Sequence, residues 1–199
     1  MSGSGALPEG YLDHALRDER VASVRVTILP GAQGTDVMVS VSEPVADVTL
    51  PALRVRTVQY ERELPHLKHV ATMGLTYHLL QARRAGFDDV LFAGRDGLLR
   101  EGSVWNVAFW DGERVVWPDA PVLAGITMQV LRIGLRKLGI PDEVRPLTSP
   151  AGMGAAAAVN SQWPAQPIAA IGETVFAGGD ELVSRLRRAW DAVPWEPIS

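Results

Sequence analysis

The chain has 199 residues, 47% of them apolar and 21% charged, with a formal net charge of −4. That balance belongs to a globular protein of one large or two small domains, excludes a disordered chain, and lacks the strongly basic footprint of a nucleic-acid binder. There is no cysteine, which excludes a disulfide scaffold, a thiolate zinc site, an iron–sulfur centre and a cysteine nucleophile. No apolar run approaches the ~18 residues of a membrane span. The N-terminus, Met1-Ser2-Gly3-Ser4-Gly5, has no basic segment followed by an apolar one, so a soluble cytoplasmic protein is expected.

In chain order, residues 12–20 read as a short helix. Val24, Val26 and Ile28 alternate with Arg25 and Thr27, the pattern of a half-buried strand. Gly31 to Gly34 form a turn, and Val37, Val39 and Val41 resume the alternation, which predicts a hairpin. Residues 42–51 connect to a third strand carrying Leu53, Val55 and Thr57. Pro65 ends it. A helix follows, with Val70, Met73, Tyr77 and Leu80 as one apolar stripe and Gly86 as its C-terminal cap.

Val90 to Phe92 is a short strand and Gly94 to Gly97 a turn. Residues 104–110 form a strand, and Asp111-Gly112 is a hairpin signal into residues 114–117. After a loop over 118–125, residues 127–138 are helical, with Met128, Leu131, Leu135 and Leu138 on one face. Gly134 inside that helix costs about 1 kcal/mol against alanine, and Gly139 closes it. Residues 144–147 are a strand candidate. Residues 151–158 are ambiguous between helix and strand. Residues 159–162 and 168–171 read as strands, and 179–192 as a charged amphipathic helix whose Arg185, Arg187 and Arg188 are expected on the solvated surface. Strands in groups with helices between them give an α+β fold.

Four places could carry chemistry. Only two lysines, Lys68 and Lys137, stand against 17 arginines, so a primary amine has two candidates. Lys137 lies in the last turn of a helix, where a cation suits the macrodipole. Lys68 lies where a loop enters a helix. Burial lowers a lysine's pKa, and a neutral amine can attack a carbonyl; the bland alternative is a solvated side chain. Glu101 falls between two strands and needs a partner, such as Arg100, water or a protonated aromatic ring. Leu123-Ala124-Gly125-Ile126-Thr127 leads into a helix whose first N–H groups suit a phosphate, or Thr127 is simply the N-cap. Asn160-Ser161-Gln162 either holds a phosphate or turns the chain. Amine, acid and two phosphate cradles, in that order, are the parts that pyridoxal 5′-phosphate requires.

The stretch from Leu67 to Ile168 resembles the class IV aminotransferases, pyridoxal-phosphate enzymes of fold type IV that include branched-chain and D-amino acid aminotransferases and 4-amino-4-deoxychorismate lyases. The Leu-Lys-His start at 67–69 looks most like the lyase branch. The resemblance implies that Lys68 is the Schiff-base lysine. Glu101, in Glu-Gly-x-x-x-Asn ending at Asn106, would pair with the pyridine nitrogen. Leu123 would pack on the ring, Gly125, Ile126 and Thr127 would bind the phosphate, and Asn160-Ser161 would contact it later in the chain. It also implies a homodimer acting on an amino acid or keto acid, by transamination or by lyase-type elimination.

Family members begin with a small N-terminal domain, and residues 1–50 read as its remnant, holding its last helix and strands over 12–42. Residues 51–199 read as the cofactor-binding domain. The arginine that this small domain supplies to the phosphate has no counterpart placed here. Where the family often has a tyrosine or asparagine after the lysine, this sequence has Ala71, Thr72 and Met73. A non-catalytic member that binds cofactor weakly or not at all is the alternative. No metal is expected: His69 and His78, nine residues apart on a helix, face about 180° from one another, and no carboxylate joins them and His66 at ligand spacing. His69 reads better as a neighbour that tunes the lysine.

Overall fold

The computed structural model describes residues 14, 16, 22–32, 34–44 and 48–195. Most of the helix expected over 12–20 lies outside the described residues. Two compact units divide the chain, residues 1–48 and 49–199. In the first, β1 (Ser23–Gly31) and β2 (Gly34–Ser42) form an antiparallel hairpin, in register from Ser23 opposite Ser42 to Gly31 opposite Gly34. The hairpin stands as the alternation predicts. Val37, Val39 and Val41 of β2 are half-buried, but the apolar face of β1 is not, because Val24, Val26 and Ile28 are all exposed.

The second unit is built on a nine-stranded sheet. Its strands are β3 (Leu53–Gln59), β4 (Asp89–Ala93), β5 (Leu99–Gly102), β6 (Asn106–Trp110), β7 (Val115–Pro118), β8 (Asp142–Arg145), β9 (Ala155–Val159), β10 (Gln166–Ile171) and β11 (Thr174–Val175). The pairings β3–β4–β5–β6–β9–β10 return to β3, so six strands close into a barrel. β7 and β8 branch from the C-terminal half of β6, and β11 branches from β10. Three helices pack outside, α1 (Met73–Arg84), α2 (Ile126–Lys137) and α3 (Gly179–Asp191). This is the α+β fold expected.

Strand side chains alternate between faces, and the closed sheet sorts them into an inner and an outer core. Leu91, Val107, Phe109, Ala156 and Ala158 share the inner core with Val55 and Ile168. Ala108, Ala155, Ala157 and Val159 point the other way, into a layer completed by Leu131 and Leu135 of α2 and Leu182, Leu186 and Ala189 of α3. Leu75 and Ala82 of α1 cover Val90 and Phe92. The alanine run of β9 is therefore buried on both faces, which explains why residues 151–158 show no period and why a strand is the answer there.

Four expectations about elements and their faces are corrected. Residues 99–102 form the strand β5, so Glu101 lies within a strand and not between two; β6 begins at Asn106, not at 104. The stripe Val70, Met73, Tyr77 and Leu80 is not the packed face of α1, for all four are exposed and Val70 precedes the helix. On α3, Arg185 is only half-exposed, lying 4.4 Å over the Trp110 ring and bonded to Glu181.

Candidate active site

β5 is short, and every residue in it is buried, including Arg100 and Glu101. Burying two charges side by side is costly unless each finds a partner. Arg100 finds three: Asp96 at 3.1 Å, Glu61 at 3.6 Å and the carbonyl of Pro121 at 3.2 Å. Glu101 uses one oxygen. Oε2 accepts the backbone N–H of Leu123 at 3.2 Å, while Oε1 is buried without a hydrogen-bond partner. Burial pushes the Glu101 carboxyl above the ordinary carboxylate range. The Leu123 N–H and the charges of Arg62, Lys68 and Arg100 oppose that push without cancelling it.

The backbone of Leu123 is gripped from a second side as well, at its carbonyl. Asn106, directly across from Glu101 in the β5–β6 pairing, donates from Nδ2 to the Leu123 carbonyl at 2.8 Å. Glu101 and Asn106, the first and last residues of Glu-Gly-x-x-x-Asn, thus hold one segment between them. Gly125 follows in extended conformation as the N-cap of α2, with no side-chain cap bond. Thr127 is therefore not the N-cap; it is buried in the first turn. A Cβ on Gly125 would run into Asn106 Oδ1, so only glycine lets the segment lie this close. The leading N–H groups of α2 have no intrahelical acceptor and form a positive-ended cradle beside the carboxylate strand. Ile126 is exposed there.

Lys68 lies on irregular, largely exposed chain between β3 and α1. The segment is tied at two points: Arg62 donates from Nη2 to the Leu67 carbonyl at 2.9 Å, and His69 Nε2 lies 2.9 Å from the Glu63 carbonyl. Lys68 is close enough for its charge to act on Glu101. Asn160 has its Oδ1 occupied, accepting the N–H groups of Gln162 and Trp163 at 2.9 and 3.0 Å, a turn of the Asx kind. That leaves Ser161, which is exposed, with a free hydroxyl beside the turn. No group of three or more histidine, aspartate or glutamate side chains that could hold a metal occurs among the described residues.

The residues fit pyridoxal phosphate on three observations: a buried carboxylate oxygen without a donor, an N-terminal cradle without a cap, and a glycine whose missing Cβ opens it. Sequence reasoning missed Arg62. It is one of many arginines in an arginine-rich chain, and only its burial and its two contacts distinguish it.

A closed barrel with a carboxylate strand, a helix-start cradle and a lysine segment defines a class of protein before any name. The sequence matches the amino-transferase class IV family over residues 14–171. The chain belongs to that family. Solved structures agree in fold. A Legionella pneumophila protein provisionally identified as a 4-amino-4-deoxychorismate lyase superposes with a TM-score of 0.80 at 16% identity, covering 88% of this chain and 72% of that one. The Escherichia coli branched-chain amino acid aminotransferase gives 0.76 at 16% identity, over 90% of this chain and 68% of that one. A hypothetical aminotransferase of Mycobacterium tuberculosis in its PLP-bound form gives 0.73 at 20% identity, over 86% and 68%. No curated protein matches the sequence. No described helix is long and apolar enough to cross a membrane.

Proposed function

We propose that this chain is a pyridoxal-phosphate-dependent enzyme that acts on an amino acid through Lys68, by transamination or by an aminodeoxychorismate-lyase-type elimination. The observation that carries the reading is the link between acid and cradle. Glu101 keeps Oε1 free while its Oε2 holds the Leu123 segment that opens α2. When bound, pyridoxal phosphate supplies an aldehyde for a lysine amine and a protonated ring that accepts electron density.

The chain's own residues divide the remaining work. Glu101 Oε1 accepts the ring N–H and balances its positive charge. The N–H groups at Ile126 and Thr127, with the Ser161 hydroxyl, would hold the phosphate, and Gly125, whose own N–H goes to the Leu123 carbonyl at 2.8 Å, would let it approach. Leu123 packs against the ring, and Asn160 shapes the turn that presents Ser161. Lys68 Nζ would be the general base that moves a proton between the substrate α-carbon and the cofactor's aldehyde carbon, a contribution of ~10²–10⁴-fold. A homodimer in the cytoplasm completes the proposal, and the exposed Val70, Met73, Tyr77 and Leu80 give it apolar surface to bury. The alternative, a member that binds cofactor weakly or not at all, draws on the exposure of Lys68.

Visible absorption on adding pyridoxal phosphate tests the reading. A band that forms with the wild type and fails to form with Lys68→Ala is expected. No band, or the same band from both proteins, overturns it.

A further inference from the structure

Three buried polar atoms near the lysine segment have no hydrogen-bond partner: Arg62 Nε, His69 Nδ1 and Glu101 Oε1. Arg62 stands between two of the site's parts. It lies three residues beyond β3, and its side chain is only 9% exposed. Its Nη2 donates to the carbonyl of Leu67, the residue before Lys68, while its Nη1 lies 3.9 Å from Glu101 Oε1. We propose that Arg62 is a positioning residue: one guanidinium ties the lysine-bearing segment to the carboxylate-bearing strand and so sets where Lys68 stands relative to Glu101. This rests on the reading of Lys68 and Glu101 as the cofactor-binding pair.

The charges around Glu101 single Arg62 out. Arg100, on the same strand, is spent on Asp96, Glu61 and the Pro121 carbonyl. Lys68 is exposed and belongs to the moving chemistry. From the α2 side, Leu123 offers a neutral N–H. Arg62 alone brings a buried cation into an ion pair with Oε1.

The length of that pair matters. At 3.9 Å it is too long for a hydrogen bond, so Arg62 lends its charge and leaves the oxygen's lone pairs open to an incoming donor. A shorter, bidentate pair would occupy the oxygen. A rigid guanidinium fork can reach both a carbonyl and a carboxylate at once; a lysine ammonium is a single point charge on a flexible stem.

Carbon-13 NMR of labelled glutamate carboxyls, in the full chain without added pyridoxal phosphate, reads the Arg62–Glu101 link. The Glu101 signal is assigned by its loss in Glu101→Gln. In Arg62→Met and Arg62→Gln the Glu101 titration midpoint is expected to rise by about one pH unit or more, since an opposite charge at this range holds a carboxyl down by that much. Arg62→Lys is expected to restore most of the midpoint but not the tie to Leu67, so its dissociation constant for pyridoxal phosphate stays ~10-fold above wild type, on the scale of losing a supporting partner.

An unmoved midpoint in Arg62→Met and Arg62→Gln, with both folded by near-ultraviolet circular dichroism, overturns the inference. So does wild-type affinity in Arg62→Lys, which also carries the test if the neutral variants do not fold. The two readings fail separately. A wild-type chain that binds no pyridoxal phosphate sinks the cofactor reading while the midpoint shift still measures the link. A band on Lys68 with an unmoved Glu101 midpoint sinks the role of Arg62 alone.

Discussion

Two helices each begin just after a candidate site segment, and they are anchored very differently. α2 follows the Leu123–Gly125 cradle and buries Thr127, Leu131, Gly134 and Leu135. α1 follows the Lys68 segment and buries only Leu75 and Ala82, with Met73, Tyr77 and Leu80 turned outward. Both have apolar residues at helical spacing. The cradle is therefore anchored to the core, gripped by Glu101 and Asn106 at one end and continued into a helix that packs on α3. The lysine segment hangs on a few polar ties. On the proposed reading, the acid and the helix-start segment are held by buried partners, while Lys68 stands on exposed chain.

That contrast can be broken from either side. The largest expected effect is on the lysine side: Lys68→Ala removes the attacking amine and should lower activity by about 10³-fold or more, measured as single-turnover rate, since a missing nucleophile leaves only binding and electrostatics. Next is the packed helix. A Cβ at Gly134 would run into the backbone carbonyl of Ala189 in α3, so Gly134→Ala should cost ~1–3 kcal/mol in urea unfolding despite alanine's better helix propensity. If Gly134→Ala is stabilising, α2 and α3 do not pack as closely as described.

Gly125→Ala should act on function more than on stability. Its Cβ meets Asn106 Oδ1, which pushes the cradle off Asn106 and should weaken pyridoxal phosphate binding ~10-fold, about 1.4 kcal/mol. Equal affinity in a titration would show that the cradle does not hold the phosphate. The smallest effect belongs to the open face of α1: Met73→Ser should change stability by less than ~0.5 kcal/mol in the isolated chain, as exposed positions do.

Glu101 adds a pH signature of unusual sign. Its folded carboxyl is raised by burial, so the folded state binds a proton more readily than the unfolded state. Stability from this group is greatest below the ordinary carboxylate range and falls as pH rises through the raised folded value. Thermal melts of Glu101→Gln should lack that fall. Asp111 runs the other way. Burial pushes it up, but the N–H groups of Arg114 and Glu113 and the charges of Arg145 and Arg114 hold it below its ordinary value. Its stabilisation is present at neutral pH and lost as pH drops through the lowered folded value.

The same contrast marks what the sequence could reveal. The β1–β2 hairpin, β3, β10, α2 and α3 follow their period and their turn residues. β5 does not, because Arg100 and Glu101 are charged yet buried, stabilised by Asp96 nearby and by Glu61, Pro121 and Leu123 far along the chain. β9 is hidden by alanines that serve both the inner and outer layers. For α1 the spacing of apolar residues was visible, but which face would be covered depends on where Val90 and Phe92 lie in the folded sheet. Lys68, Glu101 and the Leu123–Thr127 segment stood out by residue type and order. Arg62 did not, since its place is defined by a carbonyl and a carboxylate that only the fold brings near.

The most direct measurement is borohydride reduction of the protein with pyridoxal phosphate, followed by peptide mass mapping. The account predicts one reduced adduct, on Lys68, and none in Glu101→Gln at cofactor concentrations that label the wild type. An adduct on Lys137, or an equal yield on Lys68 with and without the Glu101 carboxylate, would contradict it.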